Sequence, residues 1–322
     1  MVKQFAIGLV LALTFVSTAF AQLTPEQQAA RDKGLALYQQ SDWYDSQPLL
    51  QIAAEAGDQQ AQYYLGEAIR LSKRYMTAEA RKWYEAAAEQ GDLFAMLRLS
   101  DSSDLCRELG TCALNGAEWR EKALDLAYER AEQGDTQAMH ALFNANQGIS
   151  WLEKAAEGGD STAQRLLAGL YQDGEGWFFL PGSREKAIEK WFKASAEGRF
   201  PEGMMHYANY LYENNGSKEE IRYWVKKAAE AGHISAVSTY ASNLAHAPND
   251  LDFPADLIAG YGLKYLVSRL EGGGGAPEYA QRSLPKIAKK MTVEQIEQAK
   301  IFAAEWEKTH PPLSYFVPVY GY

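Results

Sequence analysis

The chain has 322 residues with 32 Lys+Arg and 42 Asp+Glu, which gives a formal net charge of −10 and a pI near 5.2. A hydrophobic content of 47% and a charged content of 23% exclude a disordered polyelectrolyte and a membrane-embedded protein. The acidic balance disfavours a nucleic-acid binder, which needs a basic surface. Two cysteines are too few to build a disulfide scaffold or a four-ligand zinc site.

Residues 1–21 have the pattern of a bacterial export signal. Lys3 supplies a positive charge, and the apolar run over residues 5–16 is too short to span a bilayer. Ala19 and Ala21 are the small residues that a signal peptidase reads, so we expect cleavage after Ala21. The alternative is an uncleaved anchor. Cleavage predicts a protein of the periplasm, or one secreted beyond it, without a stable membrane anchor.

Export would place Cys106 and Cys112 in an oxidising compartment. With five residues between them, they are predicted to close a small structural disulfide loop worth about 2 kcal/mol. The alternative is a redox-active pair, although such pairs usually have two residues between the cysteines.

A segment of about ten residues recurs along the chain in altered form. Four copies begin at a tryptophan: Trp83, Trp151, Trp191 and Trp224. The copies end at seven anchor positions, 57, 91, 134, 159, 199, 232 and 273, whose spacings of 34, 43, 25, 40, 33 and 41 residues average 36. A length of 322 residues alone would suggest two domains, at about 150 residues each. The period instead predicts a single array of helical repeats.

Each repeat is predicted to form two helices. A small residue lies four positions after the anchor and a large apolar residue eight positions after it, as in Ala61 and Leu65. This spacing places both on one helical face and lets a neighbouring helix approach closely. A polar turn then leads to a second helix that carries the tryptophan. The glycine at most anchors fits a C-terminal cap with positive φ.

A glutamate stands two positions before the anchor in every copy. These glutamates are Glu55, Glu89, Glu132, Glu157, Glu197, Glu230 and Glu271. A negative charge in the last turn of a helix opposes the helix dipole, so seven copies indicate a compensating contact. We hypothesise that each carboxylate accepts hydrogen bonds from the free N–H groups that begin the next helix.

These motifs resemble the Sel1-like repeat family. Its pattern of a Trp-Tyr pair, an Ala-Ala-Glu-x-Gly run and a following Leu-Gly is closely matched at residues 53–66, 83–91 and 155–168, and the resemblance covers about residues 25–273. It implies an all-α solenoid of TPR-like hairpins in a right-handed superhelix, acting as a protein-binding scaffold without catalysis. Three units depart from the pattern. The third carries the cysteines in an insertion, the fourth is too short for two full helices, and the fifth has Arg199 at its anchor.

The predicted organisation is a repeat array of about seven units over residues 22–275, two capping helices over residues 276–309 and an apolar tail over residues 310–322. Within the caps, helices are expected over residues 277–290 and 292–308, the first interrupted at Pro285. The tail is predicted to pack back along the last hairpin. Its alternative is an extended peptide that is presented to a partner.

No residue pattern predicts a catalytic, metal-binding or cofactor-binding site. The five histidines lack metal-ligand spacing, and phosphate-binding loops and nucleophile elbows are absent from the sequence. We therefore assign no catalytic residues, metal or cofactor. The repeat tryptophans are predicted to pack in the core, with ligand stacking as the alternative.

The remaining candidate site is the surface formed by the first helices of the hairpins. Tyr64, Arg98, His206 and Tyr210 lie off the predicted core stripe and are candidate partner-binding residues. The alternative is ordinary solvated helix surface. An acidic chain favours a cationic protein partner. Three functions compete: an immunity protein that inhibits a toxin such as a secretion-system lipase, an adaptor for an envelope assembly or a peptidoglycan-modifying enzyme, and a hydrolase.

Overall fold

The computed structural model describes residues 23–100, 115–246, 250–272 and 274–320. The predicted signal sequence, the Cys106–Cys112 disulfide and the anchor at position 273 lie outside the described residues. Within the described ranges, none of the helices combines the length and the apolar character that crossing a bilayer requires.

The described part of the chain contains sixteen helices. They are α1 (Pro25–Gln39), α2 (Trp43–Glu55), α3 (Gln59–Lys73), α4 (Ala78–Glu89), α5 (Leu93–Leu99), α6 (Gly116–Glu132), α7 (Thr136–Asn144), α8 (Ile149–Glu157), α9 (Ser161–Gln172), α10 (Ser183–Glu197), α11 (Pro201–Glu213), α12 (Lys218–Glu230), α13 (Ile234–Ala245), α14 (Leu257–Ser268), α15 (Ala276–Ala288) and α16 (Val293–Thr309). Each helix from α1 to α14 packs against the next one along the chain, and α15 and α16 both pack on α14. The predicted α/α solenoid is confirmed.

The odd-numbered helices α1 to α13 are the first helices of seven hairpins. They also contact one another across hairpins: α1 packs against α3, α5 against α7, and α9 against α11. We call the side that these helices form the first-helix face. Three of the repeat tryptophans, Trp83, Trp191 and Trp224, are buried between hairpins, as predicted, whereas Trp151 is half-buried.

The turns between hairpins are built by the anchor glycine and the residue that follows it. The glycines at 57, 91, 134, 159 and 232 all have φ between +85° and +91°, which confirms the predicted C-terminal caps. The next residue caps the following helix. The Asp58 carboxylate, for example, accepts a hydrogen bond of 2.7 Å from the N–H of Ala61, and the other caps of this kind are Asp92, Asp135 and Asp160.

The hypothesis that the repeat glutamates cap the next helix is therefore wrong. Six of the seven are exposed and Glu230 is half-buried, and none bonds a backbone N–H of the next helix in the described ranges. In four of the turns a short aspartate side chain at the N-cap already occupies that position, and His233 caps α13 in a fifth. Two of the glutamates bond within their own helices: Glu55 accepts a hydrogen bond from Gln51, and Glu230 pairs with Lys227.

Arg199 occupies an anchor position that glycine fills in the other described units, and it has a φ of +62°. A side chain at positive φ is strained because Cβ approaches the carbonyl oxygen. We expect Arg199→Gly to raise the free energy of unfolding by about 0.5–1 kcal/mol, measured by urea denaturation. Gly134→Ala is the matched reverse change, because open space surrounds Gly134, and it should be destabilising. A less stable Arg199→Gly variant would contradict this account.

Two sequence predictions about helix lengths are corrected. The fourth unit holds two helices after all, because α7 and α8 have only nine residues each. The α15 helix is not interrupted at Pro285, which lies inside it. Pro285 is exposed, so water can reach the carbonyl group that its missing N–H leaves free.

The two ends of the array touch each other. A Cβ atom placed on Gly272, in the loop between α14 and α15, would clash with the carbonyl oxygen of Gln40, in the turn between α1 and α2. Glycine at position 272 therefore permits the loop to approach the first hairpin. The C-terminal tail joins the same two regions, as described below.

Candidate functional site

The first-helix face begins with a buried cluster of tyrosines and charged residues in the first three hairpins. The ring of Tyr64 lies edge-on to Tyr38 and Tyr63, at centroid distances of 4.9 and 5.3 Å. Only 8% of Tyr64 is exposed, and burial raises the pKa of its hydroxyl to about 12. The prediction that Tyr64 contacts a partner is therefore wrong, because its ring packs against neighbouring rings.

The charged centre of this cluster is Glu67, whose side chain is 2% exposed. Its carboxylate accepts a hydrogen bond of 2.6 Å from Nε of Arg98 and one of 2.8 Å from Nη2 of Arg70. The hydroxyl of Tyr84 donates a third, at 2.8 Å. Burial alone would lower the pKa of Arg98, but the Glu67 carboxylate raises it above its ordinary value. Arg98 is thus committed to an internal ion pair.

His206 and Tyr210 lie further along the same face, on α11. The His206 ring stacks on Phe192, and its Nε2 is 3.7 Å from Oε1 of Glu202. The His206 side chain is 41% exposed. Tyr210 packs against Phe192 and its hydroxyl donates to the carbonyl oxygen of Glu185. Both residues are near enough to the surface to contact a partner, and their binding role stays a prediction.

The C-terminal tail packs against the last hairpin at the N-terminus of α13, as predicted, and continues beyond it. It starts after α16, passes the N-terminus of α13 and crosses the first-helix face to the first three hairpins. The N–H of Ser314 donates to the carbonyl of Gly232, and the Ser314 carbonyl accepts from the N–H of Ile234. The N–H of Tyr315 then donates to the carbonyl of Gln39. The tail is intramolecular, as predicted, but it reaches the first three hairpins as well as the last one.

Side chains of the first-helix face also bind the backbone of the tail. The amide group of Gln39 accepts a hydrogen bond of 2.7 Å from the N–H of Val317 and donates one of 3.3 Å to the Val317 carbonyl. The hydroxyl of Tyr63 donates to the carbonyl of Val319. These hydrogen bonds go to backbone groups of the tail and do not depend on its side chains, as in the recognition of extended peptides.

Two aromatic rings of the tail occupy separate places on this face. The Phe316 ring stacks on His233, with the ring planes 12° apart, and meets Phe200 edge-on. The Tyr320 ring lies under the Arg98 guanidinium, 4.2 Å away. Arg98, a predicted partner-binding residue, therefore contacts the chain's own tail. Burial lowers the pKa of His233 to about 4, so its Nδ1 stays free to cap α13 at neutral pH.

A second surface was missed by the sequence interpretation. The apolar loop, residues 176–182 between α9 and α10, displays Trp177, Phe179 and Leu180, which are 91%, 89% and 73% exposed. Large apolar side chains are seldom displayed together without a binding role. The signal was present in the sequence as four consecutive apolar residues between a glycine and a Pro-Gly pair, which is typical of a turn and not of a core helix.

The apolar loop is held in place from below by Arg184. Its guanidinium donates hydrogen bonds to the carbonyl oxygens of Tyr171 and Gly176, at 2.9 and 3.1 Å, and to that of Glu175. It also lies 4.7 Å from the ring of Phe178, which packs inward against Tyr171. The loop therefore presents its three exposed side chains from an ordered base.

One group of carboxylates lies close together. In the described ranges, oxygens of Asp42, Asp45 and Glu271 are within 4.8 Å of one another. Asp42 already caps α2 by accepting a hydrogen bond from the N–H of Asp45. Asp45 and Glu271 are exposed, and an exposed acidic group of this kind does not define a metal site.

Known proteins place this fold in a family, although no family model matches the chain. The Sel1-repeat-containing protein YjcO of Escherichia coli K12 is 31% identical over 168 residues, which cover 48% of the chain and 69% of YjcO. The chain belongs to the Sel1-repeat family. The YjcO proteins of E. coli O157:H7 and Shigella flexneri match it to the same extent. Sel1-repeat scaffolds are generally protein-binding folds without catalysis.

Three solved structures resemble this Sel1-repeat chain. The protective antigen c5321 of uropathogenic E. coli, with an SLR fold, has a TM-score of 0.49 and 21% identity; 89% of this chain and 62% of c5321 are covered. A Sel1 repeat protein from Oxalobacter formigenes has a TM-score of 0.43 and 23% identity, with 88% of each chain covered. The immunity protein PA5088 from Pseudomonas aeruginosa has a TM-score of 0.43 and 16% identity, covering 84% of this chain and 89% of PA5088. The chain thus spans less than two thirds of c5321.

Proposed function

We propose that this Sel1-repeat chain is a periplasmic inhibitor that binds a protein toxin through its apolar loop. The observation that carries the proposal is the display of Trp177, Phe179 and Leu180 on a base fixed by Arg184. Aromatic side chains on a preorganised base are the usual anchors of protein interfaces, because little conformational entropy is lost when they enter a pocket.

The charge around the apolar loop favours a protein partner whose binding site has an apolar pocket and a basic rim. Residues 173–182 contain Asp173 and Glu175 but no lysine or arginine, and the whole chain has a formal net charge of −10. An anionic bilayer surface attracts basic segments and would repel this one. A basic rim would instead be attracted to the acidic chain, and it would speed association.

The sequence supports both the proposed role as a toxin inhibitor and the proposed location in the periplasm. The pattern of residues 1–21 favours export, and exported Sel1-like proteins resemble immunity proteins that neutralise toxins delivered into the periplasm. An adaptor for an envelope assembly or a peptidoglycan-modifying enzyme would use the same surface, and the two roles differ in what binding does to the partner.

The test is photo-crosslinking in the host cell. The full chain, with its own N-terminus, carries a photoreactive phenylalanine at position 179, and a matched control carries it at Tyr212, which is 57% exposed on α11. We expect illumination to give one protein adduct at position 179, recovered in the periplasmic fraction, and none at 212. Trp177→Ser with Leu180→Ser should lower the adduct yield at least tenfold.

The purified partner then decides between inhibitor and adaptor. An inhibitor abolishes the partner's toxic activity at a one-to-one ratio, and the Trp177→Ser, Leu180→Ser variant does not. A partner that retains full activity when bound would point to the adaptor. Adducts formed only with lipid, only with a second copy of this chain, or in equal amounts at position 212 would overturn docking through the loop.

A further inference from the structure

The first-helix face holds the C-terminal tail as it would hold a separate peptide. We call five of the residues whose side chains contact the tail there the tail seat: Gln39, Tyr63, Arg98, Phe200 and His233. The seat combines side-chain hydrogen bonds to the tail backbone with two places for aromatic rings. Domains that recognise extended peptides combine the same two features, because backbone bonds supply affinity and ring pockets supply specificity.

The tail is extended where it is bound, and its composition suits this mode. Residues 311–320 include Pro311, Pro312 and Pro318, which cannot continue a helix and lose little entropy on ordering. Within these residues, the backbone hydrogen bonds of Ser314, Val317 and Val319 go to other parts of the chain, whereas the Ser314 hydroxyl accepts one from the N–H of Phe316. The tail contributes no helix of its own to the array.

One position of the bound tail is strained. Phe316 has a φ of +52°, a conformation that bulky residues rarely adopt. The ring contacts with His233 and Phe200 hold it there. Such strain offsets part of the binding free energy that these contacts contribute. A segment that places an aromatic ring in the same position without this backbone conformation would bind more favourably.

We propose that the tail seat is a binding site for an extended segment of a partner protein, which enters by displacing the chain's own tail. The segment has the chemistry of the tail: two aromatic residues separated by a short stretch of valine and proline. Attachment to α16 gives the tail an effective concentration of the order of millimolar at the seat. A partner segment therefore displaces the tail only if its affinity and concentration together outweigh those of the attached tail. This site is separate from the apolar loop, and it stands if docking through the loop fails.

The probe is a fluorescent synthetic peptide of residues 310–322, and its binding is measured by anisotropy. Phe316→Ser with Tyr320→Ala in the full chain removes both ring contacts of the attached tail and leaves the seat intact. We expect this variant to bind the probe at least tenfold more tightly than the unaltered chain. Tyr212→Ala, an exposed tyrosine outside the seat, should match the unaltered chain. A peptide of the same composition in scrambled order should not bind.

If the double variant misfolds, the same question can be answered with a chain that is cut between α16 and the tail. A protease site inserted after Thr309 is cut in the folded full chain, so every residue remains present and the attached tail becomes free to exchange. The probe should then replace it. Three results would overturn the proposal: a folded variant and a nicked chain that both fail to bind the probe, equal binding of the scrambled peptide, or a dimer in light scattering in which two copies exchange tails.

Discussion

Replacing Glu67 by glutamine should lower the free energy of unfolding by about 3 kcal/mol. The glutamine is nearly the same shape, but it removes the carboxylate that, among the described residues, pairs with two enclosed guanidinium groups. The side chains of Arg98 and Arg70 are 12% and 17% exposed, so water can solvate them only in part. Removing one partner of a buried ion pair is costly because the remaining charge stays desolvated.

The measurement is urea denaturation combined with hydrogen exchange in α3 to α5, because a repeat array can open locally. Glu85→Gln is the matched control. Glu85 pairs with Arg81 at 4.0 Å on the surface, and its loss should change stability by less than about 0.5 kcal/mol. Adding Arg98→Met to the Glu67 variant should restore part of the stability. A Glu67→Gln variant as stable as the control would show that the ion pair is not needed.

The local structure of the array could be predicted from the sequence because it depends on short-range rules. Glycine at the anchor permits positive φ, and small residues such as Ala61 sit where helices approach closely. The capping aspartates were also visible, since Asp58, Asp92, Asp135 and Asp160 each follow an anchor glycine. The glutamates recur at all seven anchors and the aspartates at four, yet it is the aspartates that cap the next helix. A residue that recurs in every repeat occupies the same structural position in each, but its recurrence does not identify the group that its side chain contacts.

The candidate surfaces could not be predicted in the same way because they depend on contacts between distant parts of the chain. Arg98 meets Tyr320 across more than two hundred residues, and Tyr63 meets Val319 across a similar distance. No periodicity links these positions, since the tail lies outside the repeats. The side on which Tyr64 packs likewise depends on Tyr38 from the preceding hairpin. The sequence located the first-helix face but not what covers it.

Lys264→Met should raise the free energy of unfolding at pH 7, by about 2 kcal/mol. Lys264 lies on α14 and is 1% exposed, and its Nζ has no hydrogen-bond acceptor among the described residues. The Tyr279 ring, 4.6 Å from Nζ, offsets only part of the lost hydration. Burial lowers the pKa of Lys264 to about 8. The folded state therefore disfavours the charged form that the unfolded chain keeps up to a pH of about 10.5.

The sign of the pH dependence follows from this difference. Between pH 8 and about 10.5 the unfolded chain holds a proton that the folded chain has lost, so the unaltered protein gains stability as the pH rises. The gain in free energy of unfolding from Lys264→Met should thus be complete below pH 8 and should shrink between pH 8 and about 10.5. Unfolding midpoints in urea at pH 7 and pH 10 measure it. Lys286→Met, an exposed lysine on α15, is the control and should change little at either pH. A Lys264→Met variant with the same gain at both values would mean that packing, and not the buried charge, sets its stability.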